Sequence, residues 1–550
     1  MTSNDSSPPS KCRTRNRNPS RAFEGLLDRH FEGILADHPV LATLTGLRAG
    51  EGHLGHASIT FINRQQRRRQ SVLQSLDQLT PTGLTGEQHL DRLALRGQLL
   101  KDCEDHDRGR HRMDPDALDH VLNILLHELQ RGEDEPARAA KNLRSLLSET
   151  PRFLTEAATL LEHPEPVWRR MLEQSAAAAP SLLSSAATFL GRHVPSQMDA
   201  ALLRSAGRAF NCYRDHVLSL KPAPESSFAL GPQRLARRVR DELGLDYTLG
   251  QIEALAESEI ARVNGLLDRA CRRFGRNQRP RDILERARSE WDPPEDLLSY
   301  YQKETARVVH AFRGARAVTF PPGESLVVRR VPDFMRHLFP TAAYSAPGAF
   351  EKRQRGIFWV NDLSVTRRTE ADKLRERRQH FGVTLTCAHE AYPGHHLQFS
   401  IANRHPRRWR RMFAHAVFYE GWTLWCEQMT ADLKVDASPW LPVQQLHDAL
   451  WRCHRILVDL RLQTGRYSHR QAARHLERAL NFTRARAEAD VNWYTGSPAV
   501  PMSYWLGRLE NERLRHRLMR GRGWSLKRFN DWLLGFGTLP QAWIEKYGLD

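Results

Sequence analysis

The chain has 550 residues, 40% of them hydrophobic and 27% charged, which is enough apolar material for a large core and for two lobes rather than one. Its seven cysteines are odd in number and none forms a C-x-x-C pair, which argues against a disulfide framework and against a thiolate zinc finger. A net charge of +18 raises a nucleic-acid partner, but the basic runs QQRRRQ (65–70) and PRRWRR (406–411) are short and read as solvated helix faces.

The opening, MTSNDSSPPSKCRTRNRNPS (1–20), has no apolar signal-peptide core, and its composition predicts a disordered lead-in. Residues 21–240 read as a helical N-terminal lobe. Within it LDHVLNILLHELQ (118–130) repeats apolar residues at three- and four-residue steps. The longest uncharged run, 174–191, is small and polar with Pro180 inside, so it is a poor membrane span. No membrane partner is expected, and the cytoplasm is the expected location. The stretch 220–233 reads as a linker, and so does 275–295.

Residues 241–550 read as a second, mostly helical domain. Helix is predicted over 248–274 after a Thr248 cap, and over 293–312, which opens on prolines. The segments AVTFPPGESLVVRRVP and GIFWVND, within 316–362, are β-rich and bounded by Pro and Gly, so they predict short strands. Helix resumes near 370. The fold class is therefore mainly α, with a small β element near 316–362 and no internal repeat.

The chemistry concentrates in CAHEAYPGHHLQ (387–398). A helical H-E-x-x-H places two zinc-binding histidines one turn apart, with a glutamate beside them as base. Here His389 and Glu390 begin that pattern, but Pro393 stands where the second histidine belongs. The next histidines, His395 and His396, come at +6 and +7. In a straight helix +6 lies about 240° round the axis, and +7 lies about 10 Å along it. Pro393 and Gly394 permit a bulge that absorbs extra residues. Absorbing two favours His395 as ligand; absorbing three selects His396.

A third ligand is needed for a catalytic zinc site with one open position. HAVFYEGWTLWCEQM (415–429) reads as a buried helix with Glu420 and Glu427 two turns apart on one face. A carboxylate on such a helix is costly unless it is paired or metal-bound. Glu420 is the candidate ligand, and Glu427 the group that orients a histidine by a hydrogen bond. Gln398 is placed near the site. His415, Cys387 and Cys426 read as packed core residues.

HEAYPGHHLQ and FYEGWTLWCEQM, with GIFWVND (356–362) and SPAVPMSYWLG (497–507), resemble the bacterial family catalogued as domain of unknown function 885. That family looks like a distant branch of the gluzincin metallopeptidases. The resemblance implies a large two-lobed helical architecture and one Zn2+ per chain on His389, Glu420 and one of His395 or His396. It makes Glu390 the general base, gives Tyr504 an oxyanion-steadying role and lets Asn361 hold substrate backbone. The chain departs from the family at Ala499, Val500 and Pro501, at Trp493-Tyr494, and at Gln463, which replaces a histidine. The expected activity is zinc-dependent hydrolysis of a short peptide or amide substrate. Two alternatives stand beside it: a basic, non-catalytic helical protein that binds nucleic acid, and a degenerate metal-binding member without peptidase activity. No helix-turn-helix, zinc-finger or RNA-recognition signature supports a specific nucleic acid. The oligomeric state is left open.

Overall fold

A computed structural model describes residues 18–132, 134–331, 341–362 and 369–549. Helix dominates it, because apolar residues recur at helical spacing and many helix starts are capped. Thr85, Thr248 and Ser468 each close a capping box, in which the hydroxyl takes one orphan N–H and a glutamine three residues on returns to the cap N–H. The helix Ala117–Arg131 buries Leu118, Val121, Ile124, Leu125 and Leu129, the stripe expected over 118–130. The helix Leu249–Cys271 runs on into a 3-10 turn, Arg272–Phe274.

Three expectations shift. The first helix, Pro19–Asp37, starts inside the expected lead-in, because the Asn18 side chain caps the Ser20 N–H; residues 1–17 lie outside the described residues. The stretch 275–295, expected as a linker, carries the helix Pro280–Glu290. Its charges hid an apolar stripe of Ile283, Leu284 and Ala287 that packs inward. The helix expected from 293 begins at Leu297, where Asp296 accepts from the Ser299 N–H and leaves the prolines outside.

The β element is one three-stranded sheet. Strand β1 (Ser325–Arg330) runs parallel to β3 (Arg355–Val360), and β2 (Ala342–Ser345) runs antiparallel to it on the other side. Residues 316–324 lie outside the strand. Along β3, Phe358 and Val360 face the main core, whereas Ile357 and Trp359 face a small cluster with Val331.

The main core wraps the 387–391 segment. It joins Phe23, Leu27 and Phe31 of the first helix to Cys387, Ala388 and Ala391, and to Phe418, Trp422 and Trp425. Residues on both sides of position 240 therefore build the surroundings of the site. A further core, Val40 to Val217, belongs to the first half of the chain. Among the described residues no helix is long and apolar enough to cross a membrane.

Candidate metal centre

The turn that carries the histidines is not a regular helix. One α-helical turn, Val383–Thr386, widens into a π turn over Cys387–Ala391. Tyr392 is extended, and α-helix restarts at His395. The extra residues are thus taken up by a wide turn and a break. Gly394 passes so close to the preceding backbone that a Cβ would stand 1.9 Å from the His389 carbonyl oxygen, so only glycine fits. Trp422 pins the break by donating its indole N–H to the Pro393 carbonyl at 2.8 Å. The His389 and His395 rings end 4.9 Å apart, edge to face.

The helix Ala416–Asp432 supplies both carboxylates. It crosses the helix Val500–Arg522 at a glycine pair: a Cβ on Gly507 would lie 1.9 Å from the Val417 oxygen, and one on Gly421 would lie 2.5 Å from the Gly507 carbonyl carbon. This close crossing brings Tyr504 beside Glu420, where the phenol favours the charged carboxylate.

His389, His395 and Glu420 converge, with one donor atom of each within 4.8 Å of the others. His389 Nε2 lies 3.6 Å from Glu420 Oε2, and His395 Nε2 lies 3.7 Å from the same oxygen. Both distances are long for a hydrogen bond. They are close to the separation of about 3.4 Å between nitrogen and oxygen donors arranged tetrahedrally about 2.1 Å from a zinc ion. His389 Nδ1 donates to Glu427 Oε1 at 2.8 Å, which turns Nε2 towards Glu420. Arg452 holds Glu427 from behind at 3.3 Å. Arg455 lies over the Tyr504 ring, 4.5 Å from its centroid, and over Trp451 at 4.0 Å.

Three carboxylates crowd the two imidazoles and shift their titration. Burial opposes a charge on His389, but Glu420, Glu427 and Glu390 outweigh it and push the pKa up to about 10. Burial lowers His395 to about 4. Burial also works against the Glu420 charge, but His395, His389 and the Tyr504 hydrogen bond bring its pKa down to about 2. Burial raises Glu390, and the Glu420 and Glu427 charges add to that. Glu420 Oε2 and His395 Nδ1 are buried without a hydrogen-bond partner. A buried carboxylate oxygen left unpaired is costly. The donor set of two imidazoles and one carboxylate, with a second carboxylate beside it, suits a zinc ion.

His396 turns the other way. Its Nε2 meets Glu324 Oε2 at 2.8 Å and its Nδ1 meets the Tyr344 hydroxyl at 3.1 Å; Tyr392 also donates to Glu324, at 2.5 Å. Both ring nitrogens are engaged away from Glu420, so the geometry groups His395, not His396, with His389.

Two expected site residues do not join the cluster. Gln398 is buried and gives its amide to the Thr538 hydroxyl at 2.8 Å, tying its helix to the C-terminal segment. Asn361 is 1% exposed at the end of β3 and gives its N–H to the Thr341 carbonyl, so it is packed into the fold rather than open to a substrate. Gln463 is likewise structural, donating to the Tyr494 carbonyl at 3.0 Å. His415 is packed, with Nδ1 on the Glu242 carbonyl, and Cys387 and Cys426 are buried thiols. Sequence reasoning did not find Arg452, Glu324 or Tyr344, which carry no local motif and reach the two centres only through the fold.

Two solved structures share the fold. One is a candidate lipoprotein of unknown function from Shewanella oneidensis, 18% identical, with a TM-score of 0.76 over 96% of this chain and 100% of that one. The other is a candidate lipoprotein from Colwellia psychrerythraea, 15% identical, with a TM-score of 0.76 over 96% and 98%. No curated protein matches the chain. The profile of the family described as "Bacterial protein of unknown function (DUF885)" matches residues 39–547, and the chain belongs to that family.

Proposed function

We propose that the protein is a zinc-dependent hydrolase of peptide or amide bonds, a distant relative of the gluzincin metallopeptidases with their two-lobed helical architecture. The observation that carries this reading is the placing of His389 Nε2 and His395 Nε2 at 3.6 and 3.7 Å from one buried Glu420 oxygen that has no hydrogen-bond partner, with Glu390 next in sequence to His389. His389, His395 and Glu420 would hold one zinc ion, which when bound polarises a water and lowers its pKa towards neutrality. Glu390, next to His389, would serve as the general base, accepting a proton from the attacking water and returning it to the leaving amine. Glu427, braced by Arg452, keeps the His389 ring in the tautomer and orientation that face Glu420. Tyr504, already inside the cluster, steadies the oxyanion of the tetrahedral intermediate. The substrate class is a short peptide or small amide, and the proposed location is the cytoplasm.

The test is hydrolysis of a panel of short peptides and amides by the wild type and by Glu390→Gln. The variant should keep its metal and lose turnover by about 10²–10⁴-fold. Undiminished turnover would remove Glu390 from the role of base. The charge of +18 keeps a nucleic-acid-binding reading open; that reading requires binding that weakens steeply with salt. A degenerate member would retain metal and hydrolyse nothing in the panel.

A further inference from the structure

A pocket of about 520 Å³ lies far along the sequence from the His389 turn, where the helix His469–Leu480 packs on the helix Leu441–Gln463. The helix His469–Leu480 buries Ala472, Ala473, Leu476 and Leu480. That leaves Gln471, Arg474, His475 and Arg478, at three- and four-residue steps, on one outward face. These four line the pocket together with His454, Tyr467 and Ala479. No carboxylate is among the lining residues, in a chain that has 64 acidic residues.

Neighbouring arginines behave differently. Arg461 and Arg466 both pair with Glu253, and Arg484 pairs with Glu488. Arg474 and Arg478 have no ion pair among the described residues, although they sit one turn apart, where like charges repel.

The floor of the pocket is a directed chain of hydrogen bonds. Arg461 donates to the Tyr467 hydroxyl at 3.0 Å. The Tyr467 hydroxyl then faces His475 Nδ1 at 3.2 Å, and His475 Nε2 faces His454 Nδ1 at 2.9 Å. Arginine only donates, so the Tyr467 oxygen accepts from it, and its O–H remains available to donate to His475 Nδ1. In that ordering His475 donates from Nε2 and His454 accepts at Nδ1. This ordering leaves the proton of His454 on Nε2, the nitrogen without a protein partner. Burial lowers both histidines to about 4, so both rings are neutral near pH 7, as such a chain requires.

We propose that this pocket is a binding site for a phosphate-type oxyanion. Two guanidinium groups supply forked, charge-assisted donors, and His454 Nε2–H adds a neutral one. A tetrahedral anion with three or four acceptor oxygens uses all of them; a planar carboxylate, with two oxygens, does not.

The probe is inorganic phosphate, titrated into the full-length protein at constant ionic strength and followed by calorimetry. One saturable site is expected. The Arg474→Gln/Arg478→Gln double variant changes two exposed side chains and should weaken it by at least about tenfold. Arg470→Gln, on the same helix but outside the pocket wall, should leave affinity within about twofold. The double variant also separates this pocket from any phosphate held at the His389 cluster, which the substitutions do not touch. No saturable binding by the wild type, or equal affinity in the double variant, overturns the proposal.

Discussion

His395 and His396 are chain neighbours at the start of one helix, yet they serve two different centres. His396 is fully buried with both ring nitrogens satisfied, one by Glu324 and one by Tyr344. His395 is buried with Nδ1 unpartnered, and it faces a carboxylate oxygen that also lacks a partner. The first centre is a closed network that stabilises the fold and needs nothing more. The second gathers Glu390, Glu420 and Glu427 around two imidazoles, with Arg452 as the balancing cation nearby. Chemically similar sets of residues thus become a structural lock in one case and a candidate ion site in the other, and unmet hydrogen bonds mark the difference.

Substituting the two histidines gives the largest contrast. His395→Ala should lose its bound metal and keep its fold. His396→Ala should keep metal and lose about 2–3 kcal/mol of stability, because the buried Glu324 loses one hydrogen-bond partner while Tyr392 still donates to it. Metal analysis and urea midpoints on the same samples check both. Loss of metal from His396→Ala alone would reverse the assignment.

Glu427→Gln should come next. The ring of His389 keeps a neighbour but loses a charged acceptor, and metal affinity should fall about 10–100-fold in a chelator competition. Unchanged affinity would mean that Glu427 does not orient His389.

Smaller effects belong to the lock. Tyr344→Phe removes one hydrogen bond to His396 and should cost about 1 kcal/mol with no change in metal content. Glu324 also carries a pH signature. Burial acts to raise its pKa, but hydrogen bonds from His396 and Tyr392 prevail and hold it below the ordinary 4.5. A carboxylate depressed in the folded state contributes stability above its unfolded pKa and loses it as pH falls through the folded value. The stability gap between wild type and Glu324→Gln should therefore be full at pH 7 and shrink on acidification below about 4.5. A gap that stays constant down to pH 3 would contradict the lowered pKa of Glu324.

What was legible in the sequence was local. The spacing of His389, Pro393, Gly394 and His395 pointed to a lengthened turn, and a π turn and a break supply it. Two helical turns separate Glu420 from Glu427, so both reach the same histidine ring, one to each nitrogen. Tyr504 was reachable only through the family resemblance, since its meeting with Glu420 depends on the Gly421–Gly507 crossing. Gln398 and Asn361 lie in or near the motifs, but tertiary partners claimed them, which proximity along the chain does not reveal. Glu324 lies 72 residues from His396, and Arg452 lies 25 from Glu427; no periodicity links such pairs. The helix Pro280–Glu290 was missed because its few apolar positions are diluted by charge.

The most direct measurement is the metal content of full-length protein purified without chelator. About one equivalent of zinc per chain is expected in the wild type and in His396→Ala, and almost none in His395→Ala and Glu420→Ala. Wild-type protein that holds less than about a tenth of an equivalent, with no rise on adding zinc, would contradict it.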